Sequence, residues 1–271
     1  MVNYHTHSHY CDGQGELQDY VDYALAHNFT ALGFSGHAPV PFENRFAIPE
    51  SDYERYCDEV RALKSEYAGR LDIKLGLEID FIPNLLDDFR PLIERGGLDY
   101  CIGSVHLVVN PDGDPSDLWF IDGSKREVYD EGLQRVFGGD IRKGVQSFFR
   151  QSCDMLERNR PTIIGHFNKI VMHNAGRYFS EQDAWFRSLV RDTIDQIAAC
   201  GTICEINTRG IYRKRHDDYY PSREIIKYMD SLHIPVVVGS DAHNPEDLDN
   251  FCGAYEYLHE INYRNIVTEI I

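Results

Sequence analysis

Short apolar runs alternate along the chain with longer segments in which apolar residues recur at helical spacing. Strands are predicted near residues 2, 31, 73, 99, 162, 203 and 235. Between them, helices are predicted over 17–28, 51–68, 85–94, 125–136, 141–159, 181–199, 221–231 and 245–259. Leu17, Val21, Ala24 and Leu25 mark one face of the first helix, and Ser51 with Glu54 reads as a capping pair for the second. The stretch 108–123 breaks the rhythm. It holds Pro111, Gly113 and Pro115 among Asp112, Asp114, Asp117 and Asp122, and reads as a long acidic loop.

Strands that alternate with helices imply a parallel sheet, either open or closed into a barrel. The residues just past each strand favour the barrel. Strand one runs into His5-Thr6-His7, strand two into Ser35-Gly36-His37, and strand three into Glu78-Ile79-Asp80. Strand four leads to Ser104-Val105-His106, strand five to Gly165-His166, strand six to Glu205-Ile206-Asn207, and strand seven to Ser240-Asp241-Ala242-His243. Barrel enzymes place their chemistry at that one face, and random placement of 12 histidines rarely produces such a set. In an extended chain, residues two apart share a side, so His5 with His7, and Asp241 with His243, can each aim two donors at one point. Imidazole is the commonest nitrogen ligand of transition metals, so these ends predict a metal site.

Composition narrows the field. The apolar fraction of 42% supports a full core, and the whole of 1–271 reads as one domain. There is no apolar run of membrane-spanning length, and the chain enters a strand at once, so a cytoplasmic protein with no membrane partner is expected. The 7 cysteines are scattered without a CxxC pair, which argues against a disulfide framework; Cys101 and Cys204 read as core residues. A net charge of −17 without a basic block disfavours nucleic acid as a partner. An acidic protein that handles an anion needs local positive charge, which bound metal supplies.

Taken together, His-Thr-His-Ser with Asp12-Gly13, Ser35-Gly36-His37, Gly76-Leu77-Glu78, Gly103-Ser104-Val105-His106, Gly165-His166 and Gly239-Ser240-Asp241-Ala242-His243 resemble the polymerase and histidinol phosphatase (PHP) superfamily, in family order over nearly the whole chain. His37-Ala38-Pro39-Val40-Pro41-Phe42 and Asp52-Tyr53-Glu54-Arg55-Tyr56 resemble its histidinol-phosphate phosphatases. The resemblance implies a distorted (β/α)7 TIM-like barrel, with two to three divalent ions at the C-terminal ends of the strands. It implies a first ion on His5, His7, Glu78 and Asp241, a second on Glu78, His106 and His166, and a third on Asp12, His37 and His243. Many relatives carry a histidine where Asp12 stands; a carboxylate there is a harder ligand. Donors of nitrogen and oxygen suit zinc, manganese or iron alike.

The activity implied is hydrolysis of a small phosphomonoester, L-histidinol phosphate, by a hydroxide bridging the first two ions. Glu78 would bridge that pair, and Asp12, Asp241 or a metal-bound water would deliver the leaving-group proton. Arg209 is the foremost phosphate contact, followed by Lys169 and Arg177. The acidic loop, through Asp112, Asp114, Asp117, Trp119 or Asp122, is expected to receive the cationic remainder. Two rivals stand beside this reading: a broader phosphoesterase acting on nucleotides or other small phosphates, and a non-catalytic metal-binding module.

Overall fold

The apolar runs become strands because parallel strands are buried on both faces, and only continuous apolar stretches tolerate that. The computed structural model describes residues 1–270. In chain order the first half holds β1 (Val2–Asn3), α1 (Leu17–Ala26), β2 (Ala31–Phe34), α2 (Tyr53–Glu66), β3 (Asp72–Asp80), α3 (Arg90–Gly96), β4 (Tyr100–Ser104), β5 (Leu107–Val109) and β6 (Leu118–Phe120). The second holds α4 (Arg126–Phe137), α5 (Ile141–Asn159), β7 (Ile163–Ile164), α6 (Ala184–Cys200), β8 (Ile203–Asn207), α7 (Arg209–Tyr212), α8 (Arg223–Ser231), β9 (Val236–Gly239) and α9 (Ala254–Glu260).

A 7-stranded parallel sheet runs in the order β1-β2-β3-β4-β7-β8-β9. Its ends meet at the C-terminal rim. Thr6 bridges Ala242 in parallel; His7 N–H donates to Ala242 O (2.8 Å) and Ala242 N–H to His5 O (3.1 Å). The sheet is thus nearly closed into a barrel, by the residues just past its first and last strands. Side-chain alternation sorts the layers. On β3, Ile73, Leu75, Leu77 and Ile79 join the large cluster under the helices. Gly76, Glu78 and Asp80 take the opposite side, where Gly76 leaves room for the ring of Tyr100. Tyr4, Tyr100, Ile102, Ile163 and Val237 belong to a second, smaller apolar cluster. No described helix is long and apolar enough to cross a membrane.

Four expectations need correction. The stretch 108–123 is a hairpin: β5 and β6 pair antiparallel, with Val108 opposite Trp119. The third helix starts at Arg90, because Leu86 N–H turns back to Ile82 O (2.8 Å) and Asn84 adopts φ 68°. The last helix is confined to Ala254–Glu260, since Cys252 (φ 49°) and Gly253 (φ 75°) interrupt it after a short 3-10 turn at Pro245–Asp247. Finally, α2 begins after a 3-10 turn at Glu50–Asp52 with no side-chain cap, so Ser51 does not cap it.

Candidate metal centre

Glu78 is the hub. It stands near the end of β3 facing inward, buried at 2% exposed, and its two oxygens meet different sets of imidazoles. Oε2 stands 3.3 Å from His5 Nε2, 3.5 Å from His7 Nε2 and 3.2 Å from His37 Nδ1. Oε1 stands 3.0 Å from His166 Nε2 and 3.4 Å from His106 Nε2, and accepts from Ser104 Oγ (2.6 Å). Asp241 Oδ1 lies 3.4 Å from His7 Nε2 and 3.8 Å from His5 Nε2. Asp12 Oδ1 lies 3.3 Å from His243 Nε2, 3.7 Å from His7 Nδ1 and 3.8 Å from His37 Nε2. The three groups expected from the sequence are therefore brought together on one floor. His7 stands between the first and third, presenting a nitrogen to each.

The backbone is bent to achieve this. His166 (φ 20°) and Asp241 (φ 53°) both adopt positive φ, a cost that is concentrated at functional sites.

Whether these residues suit a metal ion can be tested on their polar atoms. His5 Nε2, His7 Nε2 and His37 Nδ1 are buried with no hydrogen-bond partner. Orphaned buried nitrogens are costly, and all of these aim at Glu78 Oε2. An ion held at roughly 2.0–2.2 Å keeps its donor atoms roughly 3.0–3.5 Å apart, as they are here. Cys11 Sγ sits 3.5 Å from His7 Nδ1 but belongs to none of the clusters of converging donor atoms, and burial pushes its thiol up to about 12. The set is nitrogen and oxygen, and it fits divalent ions.

Two carboxylates hold the imidazoles from behind. Glu205 (1% exposed) receives His5 Nδ1 at 2.6 Å on Oε1, while Oε2 accepts from His166 N–H (3.0 Å) and Asn207 Nδ2 (3.2 Å). Asp80 meets His106 Nδ1 at 3.0 Å and its backbone N–H at 2.8 Å. Such partners fix which ring nitrogen is left for a metal. Sequence reasoning gave neither residue a role. Their signal was alternation: Asp80 is two after Glu78, and Glu205 two before Asn207, at the same strand ends.

A cavity of about 940 Å³ opens over the floor. Lys169 and Arg209 line it together with Asp12, His243 and Asp122. Lys169 is buried; its Nζ lies 2.9 Å from Asp122 Oδ2 and 3.6 Å from Asp241 Oδ2. Burial works against the Lys169 ammonium, but those carboxylates outweigh it and raise its pKa. Asp122 is likewise held ionised, down to about 2, where Lys169 and His106 outweigh burial. Arg209 Nη1 donates to Asp241 O (2.6 Å) and faces His243 Nδ1 (2.7 Å).

Other expected contacts lie elsewhere. Arg177 is locked to Asp130 by paired 2.8 Å bonds, off the cavity lining. Asp112 pairs with Lys143 (3.0 Å), and Asp114 folds onto Ser116 (2.7 Å); both sit at the hairpin turn, also off the lining. Asp117 is tied to Arg135. Trp119 is fully buried, its indole N–H donating to Tyr129 O (2.8 Å). Of that acidic stretch, only Asp122 reaches the metal-centre side of the cavity.

The PHP domain family model matches residues 3–209. The chain belongs to the PHP domain family. Among relatives of this PHP chain, the histidinol-phosphatase of Bacillus subtilis is 26% identical over 259 residues, covering 90% of this chain and 94% of its own. A Listeria monocytogenes crystal structure, assigned as a histidinol phosphatase, superposes with a TM-score of 0.80 at 20% identity, over 94% of this chain and 100% of that one. Histidinol phosphate phosphatase from Lactococcus lactis, in complex with zinc, L-histidinol and phosphate, superposes with a TM-score of 0.68 at 18% identity, over 98% and 95%. At those identities the two superpositions establish the fold, a TIM-like PHP barrel.

Proposed function

We propose that this PHP chain is a metal-dependent phosphatase that hydrolyses L-histidinol phosphate to L-histidinol and phosphate. The observation that carries the reading is the set of orphaned imidazole nitrogens around Glu78, at the floor of a cavity walled by Lys169 and Arg209. The names of the relatives, and the zinc, histidinol and phosphate held by the Lactococcus protein, support the same chemistry.

His5, His7, Glu78 and Asp241 would hold one divalent ion, Glu78, His106 and His166 a second, and Asp12, His37 and His243 a third, as zinc, manganese or iron. Bound there, ions supply Lewis-acid polarisation of the phosphoryl group and offset the charge that develops on it. The chain's own groups do the rest. The guanidinium of Arg209 matches phosphate oxygens in a fork, and the Lys169 ammonium adds a second positive charge on the same wall. Both are positioned by Asp241, so phosphate recognition and metal binding share one anchor. Asp122 Oδ1 is buried without a partner and accepts from the ammonium of the substrate. The Asp12 side chain is 34% exposed whereas that of Asp241 is 2% exposed, so Asp12 is the carboxylate better placed to pass a proton from solvent to the leaving alkoxide. Burial would raise the Asp12 pKa, but His37 and His243 hold it far below the usual range, so the carboxylate is ionised in the ion-free protein.

The test is phosphate release by metal-reconstituted protein from L-histidinol phosphate, glycerol phosphate and nucleoside monophosphates. A kcat/KM preference for histidinol phosphate is expected. Equal rates across the panel would leave a broad phosphoesterase, and no release with zinc, manganese or iron would refute the enzymatic reading.

A further inference from the structure

The cavity lining also has an apolar part. Besides the cationic groups, it is lined by Phe42, Phe46, Leu118 and Phe120. These belong to two separate segments, the loop after β2 and the return strand of the β5–β6 hairpin. Beneath them, Ile82, Leu107 and Val109 are buried and complete a small apolar cluster. The upper four remain partly exposed. Core packing accounts for the buried three; it leaves open why four large apolar side chains face a cavity that also holds a metal centre.

The rings are ordered as a surface. Phe46 and Phe120 lie 5.8 Å apart between centroids at 30°, a stacked arrangement. Phe46 also meets the imidazole of His37 edge-on, at 5.4 Å and 87°. The aromatic surface therefore begins one ring away from a proposed metal ligand. Its supports are fastened. Asn44 Oδ1 accepts from Phe46 N–H (3.0 Å) and Ala47 N–H (2.8 Å), and its Nδ2 donates to Phe42 O (3.1 Å). On the hairpin, Gln151 Nε2 donates to Leu107 O (2.8 Å), and Ile121 N–H to His106 O (3.0 Å). A surface held this way loses little freedom when a ligand docks on it.

We propose that Phe46 and Phe120 form a shelf that receives the flat, aromatic end of the substrate, and so select phosphomonoesters bearing a ring. This rests on the phosphatase reading above and assigns its imidazole to the shelf. An acyclic phosphate gains nothing from such a wall, whereas a heteroaromatic ring covers it and excludes water. Selection by the hairpin is then apolar as well as acidic, with Phe120 facing the ring and Asp122 the ammonium.

Phe120 is the residue to change, because Phe46 touches His37. Phe120→Ala should raise KM for L-histidinol phosphate by about tenfold, the scale of one aromatic contact with its buried area, and change kcat less than about threefold. Phe120→Leu keeps apolar bulk without a π face and should fall between; Phe120→Tyr should restore parent behaviour. Metal content and kcat/KM for glycerol phosphate should match the parent in all three. Calorimetric binding of L-histidinol to the metal-loaded protein gives a second readout, and it should weaken in the same order. Unchanged KM and unchanged histidinol binding in Phe120→Ala would overturn the shelf, as would equal losses on glycerol phosphate. If the parent shows no preference for histidinol phosphate, the substrate reading falls on its own. The shelf is then judged by calorimetry alone: loss of histidinol binding in Phe120→Ala supports it, and retention refutes it.

Discussion

Glu205→Gln is a one-atom change that the barrel interior should not tolerate. Each oxygen of Glu205 accepts, and neither donates: Oε1 takes His5 Nδ1, while Oε2 takes His166 N–H and Asn207 Nδ2. A glutamine has one oxygen and one NH2. If its oxygen keeps His5, the NH2 confronts the His166 N–H. If it keeps His166, the NH2 confronts His5, and the imidazole must turn or take the other tautomer. If the tautomer is kept, a buried donor loses its acceptor, which costs about 1–3 kcal/mol; if it switches, Nε2 carries the proton and is no longer free for an ion. Rotation is hindered as well, because Gly239 lies so close that even a Cβ there would strike Glu205 Oε1.

The consequence for metal follows from His5. Its Nε2 is one of the orphaned nitrogens, and it faces Glu78 only while Nδ1 is tied to Glu205. Loss of such a partner typically weakens metal binding by about 10–100-fold. Glu205→Gln should therefore lower zinc affinity by about that factor in competition with a chromophoric chelator. Urea unfolding of the ion-free protein should register the lost hydrogen bond separately. Glu205→Ala should be worse in both, since three donors are stranded. Parent-like metal affinity in Glu205→Gln would refute the argument, whatever happens to the rate.

Two further outcomes are expected. Glu78→Gln should abolish phosphate release and lower ion content by more than one equivalent, while Asp12→Asn should lose mainly one ion, because Glu78 faces five imidazoles and Asp12 sits at the more exposed edge; equal, mild losses would contradict the hub role. Metal uptake should also release protons. Burial lowers the His106 pKa, but Asp80, Asp122 and Glu78 outweigh it and raise it from 6.5 to about 10, so the ion-free protein carries that proton between those pH values. This contribution to ion-free stability is complete below pH 6.5 and lost as pH rises through about 10, and a metal taking Nε2 must displace the proton within that window. Calorimetric titration with zinc in buffers of different ionisation heat reads the release; heats independent of buffer would refute it.

The convergence of imidazoles and carboxylates was legible because most of them follow an apolar run, and a strand can only aim such residues at one rim. That argument uses order along the chain, and order survives folding. It does not separate a ligand from the group that holds a ligand. Glu205 and Glu78 look alike in sequence, as inward carboxylates in an apolar strand. Only the 2.6 Å contact to His5 Nδ1, against 3.3 Å from Glu78 to Nε2, tells them apart. The hairpin was illegible for another reason. Leu118-Trp119-Phe120 is a three-residue strand beyond a turn rich in proline and aspartate, too short for its alternation to register. Yet alternation decides its role: Trp119 turns into the core, while Leu118 and Phe120 turn to the cavity. Charge was a poor guide there, because Asp112, Asp114 and Asp117 spend their carboxylates on the turn and on nearby side chains.

The closure of the barrel and the metal centre are one construction. The first and last strands are joined where His5-Thr6-His7 runs beside Asp241-Ala242-His243, and the backbone bonds there involve His5, His7 and Ala242. The first proposed ion would take side chains from both sides of this seam, His5 and His7 from one and Asp241 from the other, with Glu78 reaching across from β3. The third would do the same through Asp12 and His243. Ions held by these residues would tie the seam together as well as hold the substrate. Ion binding and barrel closure therefore draw on the same contacts, and any change that loosens the seam, even one remote from the cavity, acts on the metal centre through His7 and Asp241.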